Sequence, residues 1–288
     1  MELQELIQAV RRAQVLSQTL TQQQLAGLFQ SASKGAGWQL DHLRKYEAGD
    51  NVKDIDWNVT ARYRDAYVKT YAQERERLIW LLVDVSRSVT HTSAGRSRYH
   101  AALVVAATLA SSGLDNQDRV GVLCFSDKIE RLIPPGRGSV HFWRIAQELV
   151  ALRPISRATD MAGALSYLVN SHGKNALVFL ISDFLTPDYA PALRLLAQQH
   201  ELVAIRLTDE RQHAVPAVGW LQLQDTESGR SRWVNTSGAA FRAGCQQEHA
   251  QLEARFQAAF AQSGARRVSL DAAGDYLPDL IRFLQLRP

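Results

Sequence analysis

The chain has 288 residues, 46% of them hydrophobic and 22% charged, with a formal charge of +4 and a pI near 9.2. That balance excludes a disordered polar chain and gives ample material for one large domain or two modest ones. The longest apolar run, Ala101 to Ala110, is too short to cross a bilayer as a helix, so no membrane span is expected.

The opening stretch MELQELIQAVRRAQV reads as an amphipathic helix carrying acids. It lacks the apolar core of a signal peptide, and a cytoplasmic location is the expectation. A Gly-rich stretch (SASKGAG) and polar-alternating segments such as AYVKTYAQ follow, so residues 1–77 are expected to form an extension of helices and then β segments. From Arg77 onward, strands and helices alternate. Strands are predicted over 78–83, 119–125, 176–181, 201–207 and 267–270, with a short edge strand over 128–133. Helices are predicted over 99–112, 141–152, 161–171, 189–199, 239–263 and 275–286, and a hairpin over 219–235. This order implies a doubly wound, mostly parallel α/β sheet over 78–288 with helices on both faces and the hairpin as an insertion.

Within that frame LIWLLVDVSRS, Leu78 to Ser88, carries the most chemistry. Six apolar residues end at Asp84, and an extended chain beyond it points Asp84, Ser86 and Ser88 to one side. One carboxylate and two hydroxyls make a hard, oxygen-only pocket suited to Mg²⁺ or Mn²⁺ and unsuited to zinc or iron. Asp183 ends a second apolar strand, placing it at the same sheet edge, where doubly wound folds bind ligands. Between them, Thr159 lies in a loop where it can cap the helix from Met161 or turn toward a metal, with Asp160 in the first turn. Cys124 falls in an apolar strand and reads as a buried, inert thiol; no disulfide and no His/Cys zinc pattern is expected.

Asp84-Val85-Ser86-Arg87-Ser88, Thr159 and Asp183 together resemble the metal-ion-dependent adhesion site of von Willebrand factor A domains. The resemblance implies Ser86, Ser88 and Thr159 as direct ligands of Mg²⁺ (or Mn²⁺ or Ca²⁺), with Asp84 and Asp183 direct or acting through water. It also implies an open coordination position that takes a carboxylate from a partner protein. Two departures stand out: Ala158 where the family usually has glycine, and Arg87, a cation beside the site. A second resemblance covers most of the chain. LRKYEAGDNVKDIDWNVTARYRDAYVKTYAQERE, Leu43 to Glu76, is similar to the signature of a bacterial family catalogued as domain of unknown function 58. That family is typically encoded beside MoxR-type AAA+ ATPases. The implied role is an adaptor or chaperone-like partner of such an ATPase, in assembling or metallating other proteins, and not an enzyme.

Other readings compete. Asp50, Asp54 and Asp56 could form a carboxylate cluster, but Ile55 and Ala61 stand where an EF-hand needs glycine and glutamate. A turn at Gly49-Asp50 with Trp57 packed behind it is favoured, and buried ion pairs with Arg62 are an intermediate option. A metal-dependent hydrolase acting on a phosphate or ester is the alternative function. Against it, the chain has no GxSxG elbow and no phosphate loop, and His91 reads as a surface residue rather than a base for Ser86. Arginines and aromatics interleave over 61–77, but Asp65, Glu74 and Glu76 dilute the charge, and no nucleic-acid partner is expected.

Overall fold

Uninterrupted apolar runs of strand length are best satisfied inside a sheet covered on both faces, and that is where the chain places them. The computed structural model describes residues 1–19, 39–46, 55–60, 65–72, 77–86, 98–153, 156, 158–171, 173–209, 218–224, 231–261 and 263–285. The elements are α1 (Leu3–Thr19), β1 (Gln39–Lys45), the single helical turn α2 (Trp57–Thr60), β2 (Tyr67–Ala72) and β3 (Leu78–Asp84). Then come α3 (Arg98–Asp115), β4 (Arg119–Phe125), β5 (Ile129–Gly136), α4 (Gly138–Ala151), α5 (Met161–Ser171) and β6 (Leu177–Ser182). The remainder is α6 (Ala190–Gln199), β7 (Glu201–Thr208), β8 (Trp220–Gln224), β9 (Ser231–Asn235), α7 (Ala239–Ala261), β10 (Arg266–Asp271) and α8 (Leu277–Gln285). They divide into two compact units, residues 1–31 with 77–288, and residues 32–76.

In the larger unit six strands run in the order β10-β7-β6-β3-β4-β5, all parallel except β5, which pairs antiparallel with β4 at one edge. This is the doubly wound, mostly parallel sheet that the sequence predicts, down to the short edge strand. Side chains alternate along β3. Ile79, Leu81 and Val83 enter a core shared with α1, α3, α4 and α8, whereas Trp80 and Leu82 enter one shared with α5, α6 and α7. Each fully buried large apolar side chain contributes about 1.5–3 kcal/mol. Helix α3 is buried almost all round because β3 and β4 lie on one side of it and α1 and α4 on the other. Its small residues (Ala101, Ala102, Ala106, Ala107, Ala110) permit that close approach.

Helix α1 packs with the α/β unit, while the break between residues 76 and 77 remains. Leu6, Val10 and Ala13 are buried in the core of the α/β unit, and Gln14 Nε2 donates to Ser111 Oγ (3.0 Å) and Asp115 Oδ2 (3.2 Å) on α3. An amphipathic pattern announces an apolar stripe but does not name what covers it. The hairpin forms within its predicted span, Trp220 pairing with Asn235 and Gln224 with Ser231. Among the described residues no helix is long and apolar enough to cross a membrane.

The smaller unit is an antiparallel pair, β1 with β2, running from Gln39↔Ala72 to Lys45↔Tyr67 with a register shift between Leu40 and His42. Asp56 is structural here: its N–H donates to Tyr67 O (2.8 Å), and its Oδ1 accepts from Val59 N (3.2 Å), capping α2. Trp57 is 66% exposed and not packed as expected; a single helical turn has no inner face to bury it, and Val68 is buried instead. Asp50, Asp54 and Arg62 lie outside the described residues, so the carboxylate-cluster and ion-pair readings rest on the sequence alone.

Candidate metal centre at the switch point of the sheet

Strand β3 leads on to β4 on one side, whereas β6 leads on to β7 on the other, so the winding reverses between β3 and β6. A crevice opens outside the carboxyl ends of two such strands, because their connecting loops diverge. Val83 pairs with Ile181, which sets Asp84 beside Ser182 and brings Asp183 to the same crest. Asp84 and Asp183 share one sheet edge because β3 and β6 are immediate neighbours.

The carboxylates are buried, Asp84 at 1% exposure and Asp183 at 3%. Both Asp84 oxygens accept from neutral donors: Oδ1 from Ser86 N (2.9 Å) and Oδ2 from Ser182 Oγ (2.6 Å). Burial pushes the Asp84 carboxyl up to about 6, and the neighbouring charge of Asp183 adds to the rise; the Ser182 and Ser86 bonds hold it back. Asp183 is held differently. Its Oδ1 accepts from Leu185 N (3.2 Å), while Oδ2 lies 3.1 Å from Arg98 Nη1 in an ion pair with both side chains buried.

Ser182 also accepts from Phe184 N (3.0 Å), which holds Phe184 in the left-handed region at φ 57°. That conformation is costly for a bulky residue, about 1–2 kcal/mol. It is secured by the packing of the Phe184 ring against Tyr189, Phe256 and Phe260, at centroid distances of 5.7, 5.2 and 5.5 Å. The third loop is thereby fixed at the residue after Asp183. The second loop is tied to it, since Thr186 Oγ1 donates to Thr159 O (3.2 Å), and Asp160 N donates to Ser126 O at the end of β4 (2.8 Å).

Thr159 does not cap the helix that follows it. Asp160 does, its Oδ1 accepting from Gly163 N (2.8 Å), because the carboxylate is one residue nearer α5 and suits the positive helix end. The half-buried Thr159 hydroxyl makes no hydrogen bond among the described residues. Ser86 is fully buried beside Asp84, while Ser88, Arg87, His91 and Arg157 lie outside the described residues.

Two participants escaped sequence reasoning. Ser182 was legible as a strand-end residue, and only the β3–β6 register makes it Asp84's partner. Arg98 had a subtler signal. It stands in the first turn of α3, where the helix dipole disfavours a cation, and such a misfit calls for a carboxylate nearby.

The donor set suits a hard cation. Ser86 and Ser182 bond the buried Asp84 carboxylate, and among the described residues Asp183 Oδ2 accepts no hydrogen bond and lies in ionic contact with Arg98. Among the described residues, no cluster of three or more His, Cys, Asp or Glu side chains is assembled for a metal, so hydroxyls would have to complete any ion's shell. Cys124, one strand away, takes no part: it is buried, and burial pushes its thiol up to about 12.

An uncharacterized protein of Mycobacterium tuberculosis (Rv1480) is 30% identical to the chain over 260 residues, covering 88% of the chain and 80% of that protein. Among solved structures, an aerotolerance-related membrane protein from Bacteroides fragilis matches 72% of the chain and 98% of its own, at 14% identity and a TM-score of 0.48. Proximal thread matrix protein 1 from the mussel byssus, solved with a zinc-occupied MIDAS motif, matches 46% and 38% at 16% identity and a TM-score of 0.37. The family model described as "Protein of unknown function DUF58" matches residues 42–255, the greater part of the sequence, and the chain belongs to that family.

Proposed function

We propose that this chain is a divalent-cation-dependent protein-binding module and not an enzyme. It acts in the cytoplasm as an adaptor or chaperone-like partner of a MoxR-type AAA+ ATPase, in protein assembly or metal insertion, without a nucleic-acid partner. The observation that carries the reading is the buried pair Asp84 and Asp183 at the switch point, two carboxylates balanced among the described residues by the single guanidinium of Arg98. A cation is the economical complement of that excess. Ser86 and Thr159 would hold it through their hydroxyls, with Ser88 added by the resemblance. Asp84 and Asp183, whose oxygens are already engaged, would act through water. A bound Mg²⁺, Mn²⁺ or Ca²⁺ would supply an electrophilic, open position for a partner's carboxylate.

The hydrolase alternative draws on Asp84, whose carboxyl at about 6 has the strength of a general base. Its burial and its oxygens, each already accepting a hydrogen bond, argue against that role.

A pull-down from lysate, with Mg²⁺ or EDTA and with wild type or Asp84→Ala, tests the proposal. An AAA+ ATPase or an acidic client should be retained by wild type in Mg²⁺ and lost in the other three samples. Identical partner sets in all four would overturn it, and ester or phosphate turnover abolished by Asp84→Ala would install the hydrolase.

A further inference from the structure

We infer that Arg98 couples the two ligands of this site, making a divalent ion and a partner's carboxylate bind together rather than singly; the inference rests on the metal-dependent reading above. Among the described residues, the site's formal charge at neutral pH is two carboxylates, Asp84 and Asp183, against one guanidinium. The balance is therefore minus one. A divalent ion alone takes it to plus one, trading one buried uncompensated charge for another. An ion together with one carboxylate from outside takes it to zero. Uncompensated charge in a poorly solvated site is costly, so the doubly loaded state is favoured over either singly loaded one.

Arg98 is fixed in this accounting and not a mobile counter-ion. Its side chain is 8% exposed, its Nη1 lies 3.1 Å from Asp183 Oδ2, and it stands in the first turn of α3, itself packed against β3 and β4. The helix dipole at that turn adds positive potential, so the site's tolerance for a further cation is lowered twice. Without Arg98 the balance would begin at minus two. A divalent ion would then neutralise the site by itself, and an added carboxylate would gain little. Coupling is reciprocal: by whatever factor a carboxylate tightens the ion, the ion tightens the carboxylate.

The test titrates Mn²⁺ into the full chain at pH 7.5 and fixed ionic strength, with chloride or with acetate as the carboxylate probe. For wild type, acetate should tighten Mn²⁺ at least fivefold. For Arg98→Gln, Mn²⁺ in chloride should bind at least tenfold more tightly than to wild type, and acetate should add less than twofold. Arg98→Lys, which keeps the charge, should retain most of the acetate effect. Equal Mn²⁺ affinities in wild type and Arg98→Gln, or an equal acetate effect in both, would overturn the coupling while leaving the metal site standing. If Arg98→Gln does not fold, wild type alone decides, since no acetate effect there also overturns the coupling. Absence of Mn²⁺ binding in every variant would overturn the metal-dependent reading itself.

Discussion

At the amino ends of β3 and β4, buried Arg77 and Asp118 face each other as one arginine and one aspartate. Asp118 Oδ1 accepts the Arg77 N–H (3.0 Å), and Arg77 O accepts from Arg119 N (2.8 Å). At the carboxyl ends of β3 and β6 the same residue types appear as one arginine and two aspartates. The first edge is linked through the backbone, and it staples two strands together. Among the described residues the second has one guanidinium against two carboxylates, set at the ends of two neighbouring strands. Burial is similar at the two edges; among the described residues the ratio of arginine to aspartate is what differs, and the proposed cation site lies at the second.

The largest effect should come from removing one of those two carboxylates. Asp84→Asn preserves shape and most hydrogen bonding, and it should abolish Mn²⁺ binding measured by calorimetry, with at least a hundredfold loss of affinity. Retained affinity would mean that Asp183 alone carries the site.

The pH dependence comes next. Asp84 has its carboxyl raised from 3.8 to about 6 in the folded chain, so between those pH values the folded state holds a proton that the unfolded chain has released. Stability from this group is present below about 3.8 and lost as pH rises through about 6. Urea denaturation without divalent ions should show wild type losing ground to Asp84→Asn over that window. Mg²⁺ should restore the loss at pH 7, because an ion compensates the charge that burial penalises.

Asp118→Ala tests the other edge. It leaves the buried Arg77 N–H unsatisfied and should cost about 1–3 kcal/mol in urea, with Mn²⁺ affinity unchanged within twofold. A large loss of ion binding would erase the distinction between the edges. The smallest effect is assigned to Thr159→Val. Because the hydroxyl makes no hydrogen bond among the described residues, stability should change by less than about 0.5 kcal/mol. Mn²⁺ affinity should still fall about tenfold if that hydroxyl is a ligand, a difference of about 1.4 kcal/mol.

The strands and helices of the α/β unit were legible because each signal is local. Apolar runs such as ALVFLI can be recognised without knowing their neighbours, and the hairpin's strands are bounded by their own turn. Asp84 and Asp183 were legible for a related reason, as a carboxylate at the end of a buried strand is rare enough to notice. What the chain does not display is pairing. Arg98 and Asp183 are far apart in sequence, and nothing about either names the other until β3, β6 and α3 are assembled. Ser182 needed the strand register, α1 needed the outer face of α3, and the choice of Asp160 over Thr159 as a cap was settled by one residue of spacing.

Strand β4 carries glycine at 121, directly opposite Trp80 on β3. A Cβ there would lie 2.8 Å from Trp80 Cζ3, 2.9 Å from Cε3 and 3.0 Å from Pro135 Cγ, so the indole occupies the space that any other residue would need. Trp80 shares its face of β3 with Asp84, so displacing that ring would disturb the strand that presents the carboxylate. Positions 80 and 121 are therefore sterically interdependent. A lineage that enlarges residue 121 must shrink residue 80 in the same step or pass through a form whose strand no longer presents Asp84 correctly.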